Sequence, residues 1–391
     1  AFWSHVESWA QANRPELGPH WRCGQEMSFR CMAWIFGLYA FQNTPASTPH
    51  RITELIAQLW YHASHVERIH WYAARCVRNN HALSEAACLF TIGTLFPFWP
   101  KAKRWQEMGL RYLANEVSWQ IYNDGTYIQH SMNYARLVVQ ILSWCISLAK
   151  ANGVVLPPVL LERAKQLLYF MVAKQDPLTG RVPNYGSNDG TLIFPLSSCD
   201  YLDYRPALNA LSVVLEGIRL YEPGPWDEEA IWFAGTEVAS RRVRRNSLVS
   251  KQRSQSFPQG GYYILRGMKT HSFIRCTTYR HRPVQADMLH LDVWYHGHNV
   301  LIDPGTFSYN LQPPWAEYFV GTASHNTVTV NGRNQMKKGS RFMWLHWTKS
   351  RVLRFDVMGK SVVFEGEHYS YQPIIHRRKV VLNKDTYIIV D

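Results

Sequence analysis

Phe257-Pro258-Gln259-Gly260-Gly261-Tyr262-Tyr263-Ile264-Leu265 marks the point at which this 391-residue chain changes character. Pro and two Gly interrupt any helix, and the aromatic and β-branched residues that follow suit a strand. Downstream, short apolar stretches recur at Ser272-Phe273-Ile274-Arg275-Cys276, Leu291-Asp292-Val293-Trp294, Asn299-Val300-Leu301-Ile302, Thr327-Val328-Thr329-Val330 and Lys379-Val380-Val381-Leu382, with Gly, Asn and Pro between them. That pattern predicts an antiparallel β-sandwich. Upstream, apolar residues fall at helical spacing over 21–41, 52–75, 81–95, 101–121, 131–151 and 158–172, and more weakly over 206–221 and 226–233. Serial helices with short breaks predict helical hairpins packed as a bundle, solenoid or toroid, which the spacing does not separate. Helices first and sheets second imply two layers meeting at a groove. The expected domains are 1–235 (helical), 236–256 (a basic linker containing Arg241-Arg242-Val243-Arg244-Arg245) and 257–391 (sandwich).

A chain of this length exceeds the usual limit of a single core. With 46% hydrophobic and 18% charged residues it is globular, and its 16 Trp and 21 Tyr are a high count, many of them needed for packing. Aromatic faces also cover the apolar faces of sugars. The formal charge of +13 points to a polyanionic partner: nucleic acid, anionic lipid or acidic polysaccharide. Dispersed basic residues without a recognition motif argue against nucleic acid, and no apolar run is long enough to span a bilayer. The seven Cys include no CxxC pair, which excludes a zinc ribbon and a disulfide framework. The chain begins without Met or a signal peptide and ends on the strand-like Ile388-Ile389-Val390-Asp391, so a trimmed or incomplete chain is expected. Oligomeric state is not readable from the sequence.

Three polar clusters interrupt the apolar pattern. In Arg78-Asn79-Asn80-His81-Ala82-Leu83-Ser84-Glu85, Asn79 or Asn80 caps a helix on which His81 and Glu85 share a face. The plain alternative is a capped core helix with a solvated His/Glu pair. In the stretch from Asn123-Asp124-Gly125 to Arg136, Asp-Gly makes a turn and Ser131 caps the next helix, crowding Gln129, His130, Asn133, Tyr134 and Arg136 at one junction. An Arg close to Tyr134 would favour its phenolate and ease proton transfer near neutral pH. The third cluster joins Gln285 and Asp287 to Asp303-Pro304-Gly305 and Ser324-His325-Asn326. Asp303, His325 and the Gln285 amide oxygen are donor types for a divalent ion, although Asp-Pro-Gly is equally turn chemistry.

Five motifs in order carry a resemblance. They are Asn-Asn-His-x-Leu-x-Glu-Ala at 79–86, Asp-Gly-x7-Asn-Tyr at 124–134, Asn-Tyr-Gly-Ser-Asn-Asp-Gly at 184–190, Gln-Ala-Asp-x-Leu with Ile-Asp-Pro-Gly-Thr-x-Ser-Tyr at 285–309, and His-Asn-Thr-Val-x-Val-Asn-Gly at 325–332. Together they resemble the heparinase II/III family of polysaccharide lyases across nearly the whole chain. The resemblance implies an α+β multidomain fold, an incomplete (α/α) toroid followed by an antiparallel β-sandwich. It further implies β-elimination on uronate-containing acidic polysaccharides, in a periplasmic or secreted protein of a bacterium. Glycosaminoglycans lead as substrates; alginate or another bacterial exopolysaccharide, or a non-catalytic polyanion-binding protein, are the alternatives. The uronate C5 proton leaves only if the neighbouring carboxylate is neutralised, a base takes the proton, and an acid protonates the departing O4. By resemblance Asn80 and His81 neutralise the carboxylate, and Tyr134 is the acid, or both base and acid in a syn elimination. Gln129, Arg136, Asn188 and Tyr309 bind substrate, and Gln285, Asp303 and His325 hold a structural metal.

The chain departs from the family pattern at one place. Where many members read His-x-His-x-Asp, it has Pro283-Val284-Gln285-Ala286-Asp287. The usual sandwich-domain histidine base is missing, so both proton transfers fall to Tyr134, with His281, His290 or His325 in reserve. An amide ligand suits Mn or Ca better than Zn. A glycoside hydrolase would need two carboxylates flanking the scissile bond, from Glu85, Asp124 and Asp189.

Overall fold

The computed structural model describes residues 1–240, 243, 249 and 252–391. The basic run at 241–245, apart from Val243, therefore lies outside the described residues. Two compact units emerge: Ala1–Gln120 with Trp144–Leu161, and Ile121–Ser143 with Glu162–Asp391.

The first unit contains helices α1 (Phe2–Ala12), α2 (Gly24–Phe41), α3 (Pro49–Tyr72), α4 (Asn80–Leu95) and α5 (Ala102–Gln120). Pro49 starts α3 behind Thr48, whose hydroxyl accepts from Arg51 N at 3.3 Å, an N-terminal signature readable in sequence. Every α4 residue from Ala82 to Thr94 is buried, which explains a helix apolar on all sides. Its approach to α5 needs two glycines. A Cβ on Gly93 would come within 2.4 Å of Gln106 N, and one on Gly109 within 2.5 Å of Phe90 N. The two backbones thus pack without side chains between them.

His62, on α3, sits among Trp9, Trp21 and Trp34 with ring centroids 5.6, 4.5 and 5.2 Å away. Burial lowers its pKa to about 4. A depressed imidazole stabilises the fold only while both states are neutral. As pH falls below about 6.5 the unfolded chain takes a proton that the folded chain refuses, and stability declines until about pH 4. Melting temperatures across that window should therefore fall with pH, and Ala in place of His62 should flatten part of the slope. An unchanged slope would remove His62 from the account.

The chain continues through α6 (Met132–Ala151), α7 (Pro158–Lys174), α8 (Arg205–Glu216) and α9 (Asp227–Ala234), and the division between the units passes through α6 and α7. No helix among the described residues is long and apolar enough to cross a membrane. The strands belong to the second unit. β1 (Gln255–Phe257), β2 (Tyr262–Arg266), β3 (Thr270–Arg275), β4 (Leu291–Tyr295) and β5 (His298–Leu301) form one antiparallel sheet in sequence order. After the short α10 (Trp315–Tyr318) and the two-residue strands β6 (Lys337–Lys338) and β7 (Trp344–Leu345), a second antiparallel sheet follows. It holds β8 (Ser350–Met358), β9 (Ser361–Tyr371), β10 (Ile374–Asn383) and β11 (Thr386–Val390), in the order β11-β10-β9-β8. Tyr263, Leu265, Ile274, Leu291 and Val293 of the first sheet interleave with Val362, Phe364, Val380 and Leu382 of the second. That shared core makes the pair a sandwich.

One expected strand is absent. The stretch 327–330 contributes only an isolated bridge from Val330 to Arg333, and its polar groups bond outward instead, Thr327 Oγ1 donating to Met288 O at 2.7 Å and Val328 O accepting from the Tyr371 hydroxyl at 3.1 Å. Conversely, β8 and β9 do not stand out in the sequence, whereas β11 falls on the strand-like stretch that ends the chain. Arg351, Arg354 and Asp356 break up the apolar pattern of β8, most of whose residues are exposed or half-buried.

Candidate active site

Asn79, not Asn80, caps α4: its Oδ1 accepts from His81 N at 2.9 Å. Asn80 becomes the first helical residue and is buried, while His81 is half-buried with Nδ1 3.8 Å from Cys23 Sγ. Glu85 is not solvated. It is buried against His70, Nδ1 to Oε2 3.1 Å, and a Cβ on Gly24 would lie 2.2 Å from its Oε1. Burial raises its pKa, opposed by His70. Upstream, α3 ends in a π-turn over Ala73–Val77, and Arg78 then takes a left-handed backbone (φ 44°, ψ 59°).

In the second unit, Ser131 caps α6 by accepting from Tyr134 N at 3.0 Å and donates to Ser187 O at 2.5 Å. This ties the helix start to the loop that carries Asn188 and Asp189. Gly186 permits the approach: its φ is +83°, and a Cβ there would fall 2.1 Å from His130 O. The Tyr134 hydroxyl donates to Asp189 Oδ2 at 3.0 Å and lies 2.8 Å from the Tyr309 hydroxyl. Asp189 is itself fixed, its Oδ1 accepting from Thr191 N at 3.0 Å and Thr191 Oγ1 at 2.5 Å. Asn188 Oδ1 accepts from the Tyr201 hydroxyl at 2.9 Å. The structure thus gathers Tyr134, Asn188, Asp189, Tyr201 and Tyr309 into one polar network.

Burial, then Tyr309 and Asp189, push the Tyr134 phenol far above its ordinary pKa. The expectation of an Arg-favoured phenolate is overturned. Arg136 is buried, donates to Asn133 Oδ1 at 2.9 Å and to Tyr201 O, and lies 4.3 Å from the ring centres of both Tyr201 and Tyr204. Its guanidinium braces the tyrosines and leaves the Tyr134 hydroxyl to acceptors. Gln129 accepts from the Tyr127 hydroxyl at 2.7 Å. His130 is buried, with Nδ1 3.1 Å from Arg275 Nη2. Burial and then Arg275 hold its pKa well below the usual histidine value.

His290, Asp303 and His325 form a buried cluster whose ligand atoms lie within 4.8 Å of one another. Asp303 Oδ2 is 3.3 Å from His325 Nδ1 and 3.6 Å from His290 Nε2, and its Oδ1 accepts from Gly305 N at 2.8 Å and Gln285 Nε2 at 3.3 Å. Gln285 Oε1, His290 Nε2, Asp303 Oδ2 and both His325 nitrogens are buried without hydrogen-bond partners. Ligand-type atoms left unpaired in a buried cluster are what a cation would satisfy. His290 is the third member of the cluster. Its Nδ1 accepts from Asn326 N at 3.1 Å, so the neutral ring carries its proton on Nε2, facing Asp303 Oδ2. Burial, opposed by Asp303, lowers its pKa to about 3. The atoms that converge on one point are thus those of His290, Asp303 and His325, while Gln285 touches the cluster through its bond to Asp303.

The same burial removes His290 and His325 as reserve bases, while His281 stacks on Tyr122 with centroids 6.1 Å apart. Asp287 accepts from the Tyr279 hydroxyl at 3.0 Å. Nor do the carboxylates form a hydrolase pair. Glu85 is buried against His70, and Asp124 is a turn residue accepting from Thr126 N at 3.1 Å and Gln259 N at 2.7 Å.

Helices followed by an antiparallel sandwich, with these clusters in this order, define a class, and comparison with known proteins agrees. Residues 2–186 match the family described as Heparinase II/III N-terminus, and residues 250–391 the family described as Heparinase II/III-like, C-terminal. The chain belongs to the heparinase II/III family and has its fold class, an incomplete α/α toroid followed by a β-sandwich.

Among individual relatives, it is 22% identical over 379 residues to a heparin-sulfate lyase of Bacteroides stercoris, covering 93% of this chain and 50% of that protein. To a heparin-sulfate lyase of Bacteroides thetaiotaomicron it is 24% identical over 422 aligned positions, covering 100% of this chain and 55% of the relative. A crystal structure of heparinase III superposes with a TM-score of 0.72 at 21% identity, over 99% of this chain and 58% of that one. The chain thus spans about half the length of the curated relatives it matches.

Proposed function

We propose that the chain carries the elimination centre of a polysaccharide lyase acting on uronate-containing glycosaminoglycans, heparan-type chains foremost. The observation that carries this reading is the neutral Tyr134 phenol held between a carboxylate and a second phenol. The names of the relatives supply the substrate class.

A neutral phenol is an acid as it stands. It acts as a base only if its own proton leaves while the C5 proton arrives, and Asp189 Oδ2 at 3.0 Å is the acceptor within reach. In the reading proposed, the C5 proton passes to the Tyr134 oxygen and the phenolic proton to Asp189. The C4–O4 bond breaks as the C4–C5 double bond forms, and Tyr134 then protonates O4 and recovers a proton from Asp189. The protein ends as it began. Asn80 and His81 neutralise the uronate carboxylate, which lowers the cost of the C5 carbanion. Tyr309 and Asn188 bind the sugar beside Tyr134.

Gln285, Asp303 and His325 hold a divalent ion, Mn, Ca or Zn. When bound, it neutralises the buried Asp303 carboxylate and ties together the loops around it, a structural role.

The test of substrate chemistry compares heparan sulfate with the same chain after its carboxylates are reduced to alcohols. Cleavage of the first and not the second is expected. Equal cleavage of both would contradict the role given to the uronate.

A further inference from the structure

Two uncommon backbone features meet at Arg78, just ahead of Asn79-Asn80. The preceding π-turn over Ala73–Val77 is of a type often found at functional sites, and the left-handed φ of 44° is one that Gly or Asn adopts far more easily than Arg. Strain of this kind persists where a particular side chain is needed. The side chain is placed with care. Its guanidinium lies 3.7 Å from the Trp119 ring centre, and Nη2 is 3.8 Å from Glu116 Oε1, too long for a hydrogen bond. Glu116 is buried and held by Gln120 Nε2 at 2.8 Å, and the same amide donates to Asn79 O at 2.9 Å. Trp119, Glu116 and Gln120 thus brace the Arg78–Asn79 turn from the last turn of α5.

What Arg78 lacks is an acceptor. Its Nε has no hydrogen-bond partner, and no hydrogen bond to its guanidinium is found among the described residues. Yet about a third of the side chain, 35%, is exposed. Five N–H donors in a flat fork, stacked on an indole and tethered loosely by one carboxylate, match the geometry of a carboxylate or sulfate.

We propose that Arg78 reads an anionic substituent, sulfate or carboxylate, on the saccharide that binds against Asn80. This rests on the lyase reading and deepens it by naming a specificity-determining residue. The simpler role, ending α3 and pairing with Glu116, predicts a different response to glycine, because Arg78→Gly relieves the left-handed backbone.

The experiment measures binding of heparan sulfate, its desulfated form and its carboxyl-reduced form to Tyr134→Phe protein with and without Arg78→Gly, and steady-state rates of the single Arg78 variants. Arg78→Gly should weaken binding of heparan sulfate about ten- to hundredfold, the range for a charge-assisted bidentate contact. KM should rise in step, kcat should hold within about threefold, and the melting temperature should stay level or rise. Arg78→Lys should restore only part of the affinity, since an ammonium keeps the charge but not the fork. If sulfate is the group read, the effect of Arg78→Gly disappears on the desulfated chain; if carboxylate, on the carboxyl-reduced chain.

Equal binding of all chains by Arg78→Gly protein and its parent would overturn the proposal. Should the glycine variant fail to fold, Arg78→Lys decides by the same readout: weakened binding at unchanged melting supports it, and full binding overturns it. Failure of the wild-type protein to eliminate any chain would defeat the lyase reading while leaving the binding comparison intact.

Discussion

Tyr134→Phe should lower kcat on a heparan-type chain by about a hundred- to ten-thousand-fold, the range for removing a positioned proton carrier, while the dissociation constant for the chain holds. The reasoning is local. The ring stays, so packing at the start of α6 is unchanged, and only the hydroxyl between Asp189 and Tyr309 is lost. Phe also leaves Asp189 with its Thr191 contacts, so the loop should keep its shape. Substrate-depletion kinetics and calorimetric binding together read both quantities. Retention of more than about a tenth of wild-type kcat would take Tyr134 out of the chemistry.

The second large effect is expected at Asp303. Asp303→Ala removes the carboxylate on which Gln285, His290, His325 and Gly305 N converge, all in a buried setting. Stripping one partner from such a cluster costs about 3–5 kcal/mol, and melting should drop by about 10 °C. The metal reading adds a sharper expectation. Chelator should lower the melting temperature of the wild-type protein and leave the Asp303→Ala variant indifferent, because an ion that binds only the folded state stabilises it by an amount that grows with the logarithm of its activity. A wild-type melt unmoved by chelator and by added Ca, Mn or Zn would refute a metal at this cluster.

The helical half was legible because its signals are local. Ser131 marks a helix start, and the apolar spacing of the 81–95 stretch reads directly as α4, although the 52–75 stretch left out the first turn that Pro49 begins. Asn79 and Asn80 were both capping candidates, and only the backbone shows that Asn79 caps while Asn80 enters the helix. The sandwich was legible where apolar residues cluster, as in β2 and β4, and obscure in β8, where charged residues face solvent on an open sheet. The 327–330 stretch misled because β-propensity reflects a packed, pleated neighbourhood that this loop lacks.

At the site, sequence supplied the residue types but not their partners. Arg136 stands two positions from Tyr134 in the chain, yet on a helix such residues point apart, so its cation went to Asn133 and Tyr201 and not to the phenol. Asp189 lies 55 residues from Tyr134, and no local pattern joins them. The Asn-Asp-Gly turn was its one visible sign. His290 entered the metal cluster unannounced for the same reason, since β4 and the loops after it converge only in three dimensions.

The central claim is that this protein breaks acidic polysaccharides by elimination. Ultraviolet absorbance during incubation of the wild-type protein with heparan sulfate, beside hyaluronan, alginate and a neutral glucan, tests it most directly. The account predicts growth of the conjugated unsaturated-uronate band on heparan sulfate and none on the glucan. New reducing ends without that band would mean hydrolysis and would contradict it.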